Sequence, residues 1–277
     1  ICIGLINFAG QNIDIEIRGV NAFTFILIVA VLLQIIFFIP SFLLKTEKYY
    51  DLVGSLTYVT TVSLAYFAVE NKTMIDSIIY FYVMVWASRL GIYLFRRVRN
   101  DGKDVRFEKA KRHFFWFLQY WMGQALWVTL TACAAIIAIL SPEDDTLPVL
   151  AIFGMALWLS GFTIESISDY QKRVFRKENN PSESFIHTGL WARSRHPNYF
   201  GEVTLWTGIA VIALNTLTGI EYITLISPVF VYILLTRMSG VNLLERIADE
   251  RYGHLEEYQQ YKRNTPVLVP KLSKDKI

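Results

Sequence analysis

The sequence predicts an all-α membrane protein: a seven-transmembrane-helix bundle with long cytoplasmic loops and a cytoplasmic C-terminus. Three observations lead there. Hydrophobic residues fill 53% of the 277 positions and charged residues only 18%, too little polar surface to cover a water-soluble domain. The apolar residues gather into runs that approach the roughly 20 residues a helix needs to cross a hydrocarbon core about 30 Å thick. The basic residues gather too, in the segments after some of these runs and not after others.

The runs set the expected spans in order: Val20 to Leu44, Leu52 to Val69, Met74 to Phe95, Phe114 to Leu140, Leu147 to Ile164, Tyr199 to Leu214 and Ile220 to Leu235. The last two are short. Some connections, such as Glu70 to Thr73, are brief hairpins; three are long and polar, at Arg96 to His113, Ser166 to Asn198 and Thr236 to Ile277. With seven spans, all but Arg18 and Lys72 of the 27 lysines and arginines fall on one side. The positive-inside rule makes that side cytoplasmic, and an even number of spans would destroy the split. The chain reads as a single integral membrane domain over 1–277, an inner-membrane protein if bacterial and an endoplasmic-reticulum protein if eukaryotic. Two cysteines, Cys2 and Cys133, are too few for a disulfide framework or a zinc site, and no metal centre is expected.

Topology and contact with membrane lipid explain many of the basic residues, but not Arg89. It lies about seven residues before the end of the third span, where an arginine costs roughly 2.5–3.5 kcal/mol on insertion scales unless it is paired or reaches the interface. Arg96 is one heptad later on the same helix face. With Arg97, Arg99, Arg173 and Arg176 these guanidinium groups suit phosphate oxygens, which they bind in pairs. A nucleotide cofactor is therefore expected. No Gly-rich dinucleotide fingerprint, phosphate loop or nucleic-acid motif is present, so the cofactor must bind among helices, and nucleic acid is not an expected partner. The cytoplasmic segments carry Glu165, Asp169, Tyr170, Arg176, Arg193, Arg195, His196, Asn198, Tyr199 and Glu202; carboxylates can hold ribose hydroxyls and Asn198 can read an amide.

Thr188 to Gly208 reads TGLWARSRHPNYFGEVTLWTG, and this stretch resembles the membrane-embedded steroid 5-alpha-reductase superfamily, which includes C14 sterol reductases and lies near isoprenylcysteine carboxyl methyltransferases. The resemblance continues in Ser168-Asp169-Tyr170 with Arg173 and Arg176, in Glu257 to Pro266, and around Arg89 to Asp104. It implies a seven-helix bundle that holds NADPH in its cytoplasmic half, concentrated in 89–112 and 165–270, and admits a lipophilic acceptor from the bilayer. It implies that Arg89, Arg96, Arg99, Glu165, Asp169, Arg173, Arg176, Arg195, His196, Asn198, Tyr199, Glu202, Tyr258 and Tyr261 serve the cofactor. Asn198 and Glu202 stand four apart, on one helix face, and Pro197 suits the first helical turn. Glu202 is also readable as a helix anchor paired with an arginine, His196 as a helix-start residue, and Tyr258 and Tyr261 as interfacial anchors.

The implied activity is NADPH-dependent reduction of the C=C bond of an α,β-unsaturated ketone, with a 3-oxo-Δ4 steroid as the expected type of substrate. That reaction needs a donor to the carbonyl oxygen. Here the sequence departs from the family, whose glutamine–glutamate pair in the second span is absent and whose third-span tyrosine is replaced by Trp86. Asp51 and Tyr58, seven apart on one helix face, are candidate replacements with Trp86; Asp51 is equally readable as an N-cap. Gln119 and Gln124 of the fourth span rank behind them. The alternatives are a membrane methyltransferase using S-adenosylmethionine and a seven-span receptor or transporter, and no obligate protein partner is implied.

Overall fold

The computed structural model describes residues 2–101, 107–141, 146–180, 183–238 and 240–271, and the side chains of Arg97 and Arg99 lie outside that description. The chain forms two compact units, Ile1–Ile152 with Ile209–Ser227, and Phe153–Gly208 with Pro228–Ile277.

The first unit opens with α1 (Cys2–Ala9) and a small hairpin, β1 (Glu16–Ile17) against β2 (Val20–Asn21), paired Glu16 with Asn21 and Ile17 with Val20. Arg18 at φ 53° and Gly19 at φ 76° form its two-residue turn, the left-handed pair whose twist matches antiparallel strands. Val20, expected to begin the first span, is thus a strand residue, and α2 (Ala22–Leu43) starts two positions later. Asn21 sets that start. Its Oδ1 accepts from Thr24 N at 3.1 Å while its Nδ2 donates to Gly10 O and Ile13 O, both at 2.9 Å. A cap of this kind stabilises a helix by about 1 kcal/mol.

Three further helices complete this unit's bundle: α3 (Tyr50–Ala68), α4 (Met74–Asp101) and α5 (Phe114–Leu140). Every residue of α5 from Thr131 to Leu140 is buried. A helix covered all round is a central one, and α5 touches α1, α2, α3, α4 and the 219–225 turn. Buried polar contacts join the others: Gln34 Nε2 donates to Thr57 Oγ1 at 2.8 Å, and Ser55 Oγ to Ala87 O beside Gly91. At one end Phe38, Tyr50, Phe107, Phe117 and Trp121 form an aromatic cluster. The 107–112 turn packs into it and is pinned by Lys111, 2.9 Å from the buried Glu47 carboxylate.

The second unit takes parts of α6 (Val149–Glu178), α7 (Pro197–Ala213) and α8 (Ile226–Ile233), then a π-helical turn at Leu234–Met238, α9 (Val241–Tyr252) and α10 (Glu256–Asn264). Glycines bring α6 and α7 into backbone contact. A Cβ at Gly161 would stand 2.5 Å from Leu205 N, one at Gly201 would stand 2.6 Å from Glu165 N, and one at Gly208 would stand 2.6 Å from Trp158 N. Small residues at such a seam let helices close without side chains between them.

Among the described residues, five helical stretches are long and apolar enough to cross a membrane: Ala22–Leu43, Met74–Arg96, Phe114–Leu140, Val149–Glu178 and Gly219–Tyr252. The chain is an α-helical, multi-pass membrane protein. The second and sixth expected spans are helices, but the threonines, serines and tyrosines of α3 dilute its apolarity, and α7 has only 17 residues. The seventh, expected as one helix over Ile220–Leu235, is instead assembled from a 3₁₀ segment (Gly219–Leu225), α8 and the π turn.

Candidate functional site

The α6–α7 seam brings two expected cofactor residues together. Its backbone contacts run antiparallel, Gly161 against Gly201 and Gly208 against Gly154. Asp169, two turns beyond Gly161, therefore faces Asn198, one turn before Gly201. Asn198 Nδ2 stands 3.4 Å from Asp169 Oδ1. Glu165 and Glu202 lie on the same two helices, and with Asp169 all three carboxylates are buried. Pro197 occupies the first position of α7, as expected.

Beside this seam the second unit holds an open cleft of about 170 Å³, smaller than the roughly 300–1,000 Å³ of a typical small-molecule site and open to solvent at its mouth. Four cations line it, Lys172, Arg176, Arg195 and Arg251, against one carboxylate, Glu245. Its aromatic wall is Phe185, Trp191, Tyr252, Tyr258 and Tyr261. Phe185 sits at the centre of that wall, 5.2 Å from the Tyr258 ring, 5.4 Å from Tyr261 and 5.8 Å from Tyr252. Tyr258 and Tyr261 are buried, with their hydroxyls donating to Asp249 Oδ1 at 3.0 Å and Trp191 O at 2.7 Å. They hold the wall together within this unit and are not lipid-facing anchors.

The Arg193–His196 turn is held from outside by the strand-like segment that follows α10. Arg195 N donates to Pro266 O at 2.9 Å, His196 N to Val267 O at 3.1 Å, and Lys271 N to Arg193 O at 3.0 Å; Ser194 Oγ donates to Leu268 O at 2.7 Å. So fixed, both side chains face the cleft. Arg195 Nη1 forms an ion pair with Glu245 Oε2 at 2.9 Å, and both its Nε and its Nη1 are buried with no hydrogen-bond partner among the described residues. His196 Nε2 is 2.8 Å from Glu245 Oε1, so the Nε2 nitrogen carries the proton. Burial keeps the imidazole below its ordinary pKa; the Glu245 bond opposes this, while Lys172 and Arg195 reinforce it. His196 also accepts through its carbonyl from Phe200 N at 3.2 Å, and its ring stacks on Tyr199 at 5.5 Å. It is thus a helix-start residue and a cleft residue at once. Burial raises the Tyr258 and Tyr261 phenols, with the Asp249 bond adding to the first.

In the first unit, Tyr58 of α3 and Trp86 of α4, both buried, meet edge to face with centroids 5.0 Å apart and planes at 90°. Asp51 is half-buried in the first turn of α3. It is not the N-cap, which is Tyr49; a carboxylate in the first turn still complements the exposed N–H groups there. Gln124 of α5 is buried against Gly54, where a Cβ would come within 2.5 Å of its Nε2. Arg89 is half-buried and Arg96 exposed on α4, while the Arg99 side chain lies outside the described residues. Arg173 is exposed and lies over the Tyr170 ring at 5.4 Å, outside the cleft.

A family model described as "Protein of unknown function (DUF1295)" matches residues 37–265. The chain belongs to this family. Curated relatives of the DUF1295 chain include 3-oxo-5-alpha-steroid 4-dehydrogenase 1 of Mus musculus and that of Rattus norvegicus. Each is 30% identical over 117 residues, 42% of this chain and 40% of the relative. The Homo sapiens protein of the same name is 24% identical over 119 residues, 43% of this chain and 40% of its own length. The match therefore spans about two fifths of these relatives. It bears out the resemblance to the steroid 5-alpha-reductase superfamily read from the TGLWARSRHPNYFGE segment. No solved structure matches.

Within the DUF1295 chain, Lys172, Phe185, Trp191, Glu245, Arg251 and Tyr252 line the cleft without having been expected there. Lys172 and Trp191 carried a readable signal, Lys172 beside Arg173 and Trp191 two residues before the RSRH segment; the Lys172 ammonium lies 4.7 Å from the Trp191 ring. Glu245 carried none. It sits in an ordinary amphipathic helix, 49 residues from the His196 it bonds.

Proposed function

We propose that this DUF1295 protein is a membrane-embedded, NADPH-dependent reductase of the C=C bond of a lipophilic α,β-unsaturated ketone, with a 3-oxo-Δ4 steroid-like acceptor. The observation that carries the reading is the cleft: Lys172, Arg176 and Arg251 line it with Arg195, whose buried Nε–H has no hydrogen-bond partner among the described residues, and an aromatic wall faces them. Unsatisfied buried donors are costly, at roughly 1–3 kcal/mol, and a phosphate oxygen is the acceptor whose charge matches this cluster. The aromatic wall suits the flat face of a base or a nicotinamide. S-adenosylmethionine, a sulfonium without phosphate, offers these guanidinium groups no phosphate oxygen to bind.

When bound, NADPH supplies the hydride that reduces the β-carbon. The chain's own residues do the rest. Arg176, Arg195 and Lys172 hold phosphates, and Asp169, Asn198, Glu165 and Glu202 serve the ribose and nicotinamide end. His196 and Tyr199 orient that edge of the site, and Tyr258 and Tyr261 support the wall. Arg89, Arg96, Arg99 and Arg173 enter as further phosphate ligands through the family resemblance. Tyr58 O–H donates to the ketone oxygen as charge develops on it, with its ring held by Trp86; Asp51, two turns away on the same face, is the other catalytic candidate of that helix. The acceptor enters from the bilayer, with seven spans and a cytoplasmic cofactor side, in an inner or endoplasmic-reticulum membrane.

The test is the purified protein in detergent or nanodiscs with NADPH and a panel of enones. Steady loss of nicotinamide absorbance, with the saturated ketone as product, supports the reading. Methyl transfer from S-adenosylmethionine, with no NADPH oxidation, refutes it.

A further inference from the structure

We infer that Glu245 is the positioning residue of the nucleotide cleft, one carboxylate that aims both Arg195 and His196; this rests on the NADPH reading above. Oε2 lies 2.9 Å from Arg195 Nη1 and Oε1 lies 2.8 Å from His196 Nε2. A carboxylate can serve both, because its charge pairs with the Arg195 guanidinium while its other oxygen accepts from His196. The ion pair holds the guanidinium in place with its Nε and Nη1 buried and without a hydrogen-bond partner among the described residues, so that they are left for a ligand. Holding Nε2–H selects one imidazole tautomer and leaves Nδ1 an acceptor.

The backbone shows how Glu245 reaches this place. The π turn at Leu234–Met238 and Gly240, with φ −94° and ψ −90°, break the helical path before α9. A Cβ at Gly240 would come within 2.8 Å of the Tyr199 ring, the ring on which His196 stacks at 5.5 Å. His196 is therefore held between Tyr199 and Glu245, and α9 is directed so that its second turn meets the RSRH segment. π-helical turns inside helices recur at functional sites.

Charge and position predict opposite signs for E245Q. If Glu245 only balanced charge, removing it from a cationic cleft would tighten binding of an anion. If it positions, Gln loses the charge that anchors Arg195 and presents one carbonyl and one NH₂, which either sets donor against donor or switches His196 to the Nδ1–H tautomer, and binding weakens. The experiment is equilibrium binding of NADPH to wild type, E245Q, E245D, R195A and R195A/E245Q in nanodiscs, with thermal melting of each. The expected result is an affinity loss of ~10-fold or more in E245Q, partial recovery in E245D, and a smaller loss from E245Q in R195A than in wild type, since only the His196 contact then remains to be lost. Tighter binding by E245Q, or losses that add in the double variant, overturns the inference while NADPH binding by wild type stands. Wild type that binds no NADPH refutes the proposed function and this inference with it. Should E245Q lose its melting transition, the same cycle is read with E245D, where overlapping losses support positioning and additive losses overturn it.

Discussion

Tyr58 and Trp86 stand edge to face, centroids 5.0 Å apart, in the interior of the first unit's helices. Trp86 stands where the resemblance to steroid 5-alpha-reductases leads one to expect a tyrosine, and the one phenol in this contact comes from the neighbouring helix. In the proposed reaction Y58F removes the donor to the ketone oxygen and keeps the ring contact. The expected outcome is a fall in kcat of ~10²–10³-fold with NADPH affinity unchanged, read from steady-state kinetics beside cofactor titration. W86F keeps an aromatic partner and should cost far less.

Arg195 offers a buried, unpartnered Nε–H to the cleft. R195A is expected to weaken NADPH binding by ~10- to 100-fold, the size of one charge-assisted hydrogen bond. R195K keeps the charge but not the planar fork and should recover only part of the loss. Both are measured by nicotinamide fluorescence titration, and equal affinity in all three proteins would remove Arg195 from the site.

Gly201 lets α7 approach α6 so that Asn198 reaches Asp169 at 3.4 Å. G201A places a methyl 2.6 Å from Glu165 N and Gly161 O. Backbone cannot yield as a side-chain end can, so the helices must part. A destabilisation of ~1–3 kcal/mol is expected, visible as a lower thermal midpoint in detergent. An unchanged midpoint would mean that the seam is looser than described.

Stability should fall at both ends of the pH scale. Burial keeps His196 neutral in the folded chain, whereas the unfolded chain binds a proton near pH ~6.5. Its contribution is therefore full above about pH 6.5 and lost as pH falls through the depressed folded value. Tyr258 and Tyr261 shift the other way, raised by burial; their contribution is full below about pH 10 and lost as pH rises through the folded values. Melting curves of wild type and H196N across this range check the first limb, which the variant should flatten.

How much of this was legible in the sequence divides by the range of the interaction. The helices were legible because hydrophobic run length is a local signal, and α5 appears over Phe114–Leu140 as read. Asp169 and Asn198 were each legible through a motif on their own helix, whereas their contact with one another was not. The hairpin at Glu16–Asn21 was not, because a two-residue Arg-Gly turn beside an apolar run looks like the run's edge. Asp51 misled as an N-cap because α3 begins before it, at Tyr50, supported by the aromatic packing of Tyr50 against Phe107 and Trp121. Glu245 could not be found at all, since only the fold brings α9 to the RSRH segment.

Hydrogen exchange with and without NADPH tests the central claim most directly. If the cleft of the second unit holds the cofactor, saturating NADPH should slow exchange of backbone amides in 183–196 and 241–261 and leave the 16–21 hairpin unchanged. Binding of NADPH that leaves 183–196 and 241–261 unprotected would contradict the account.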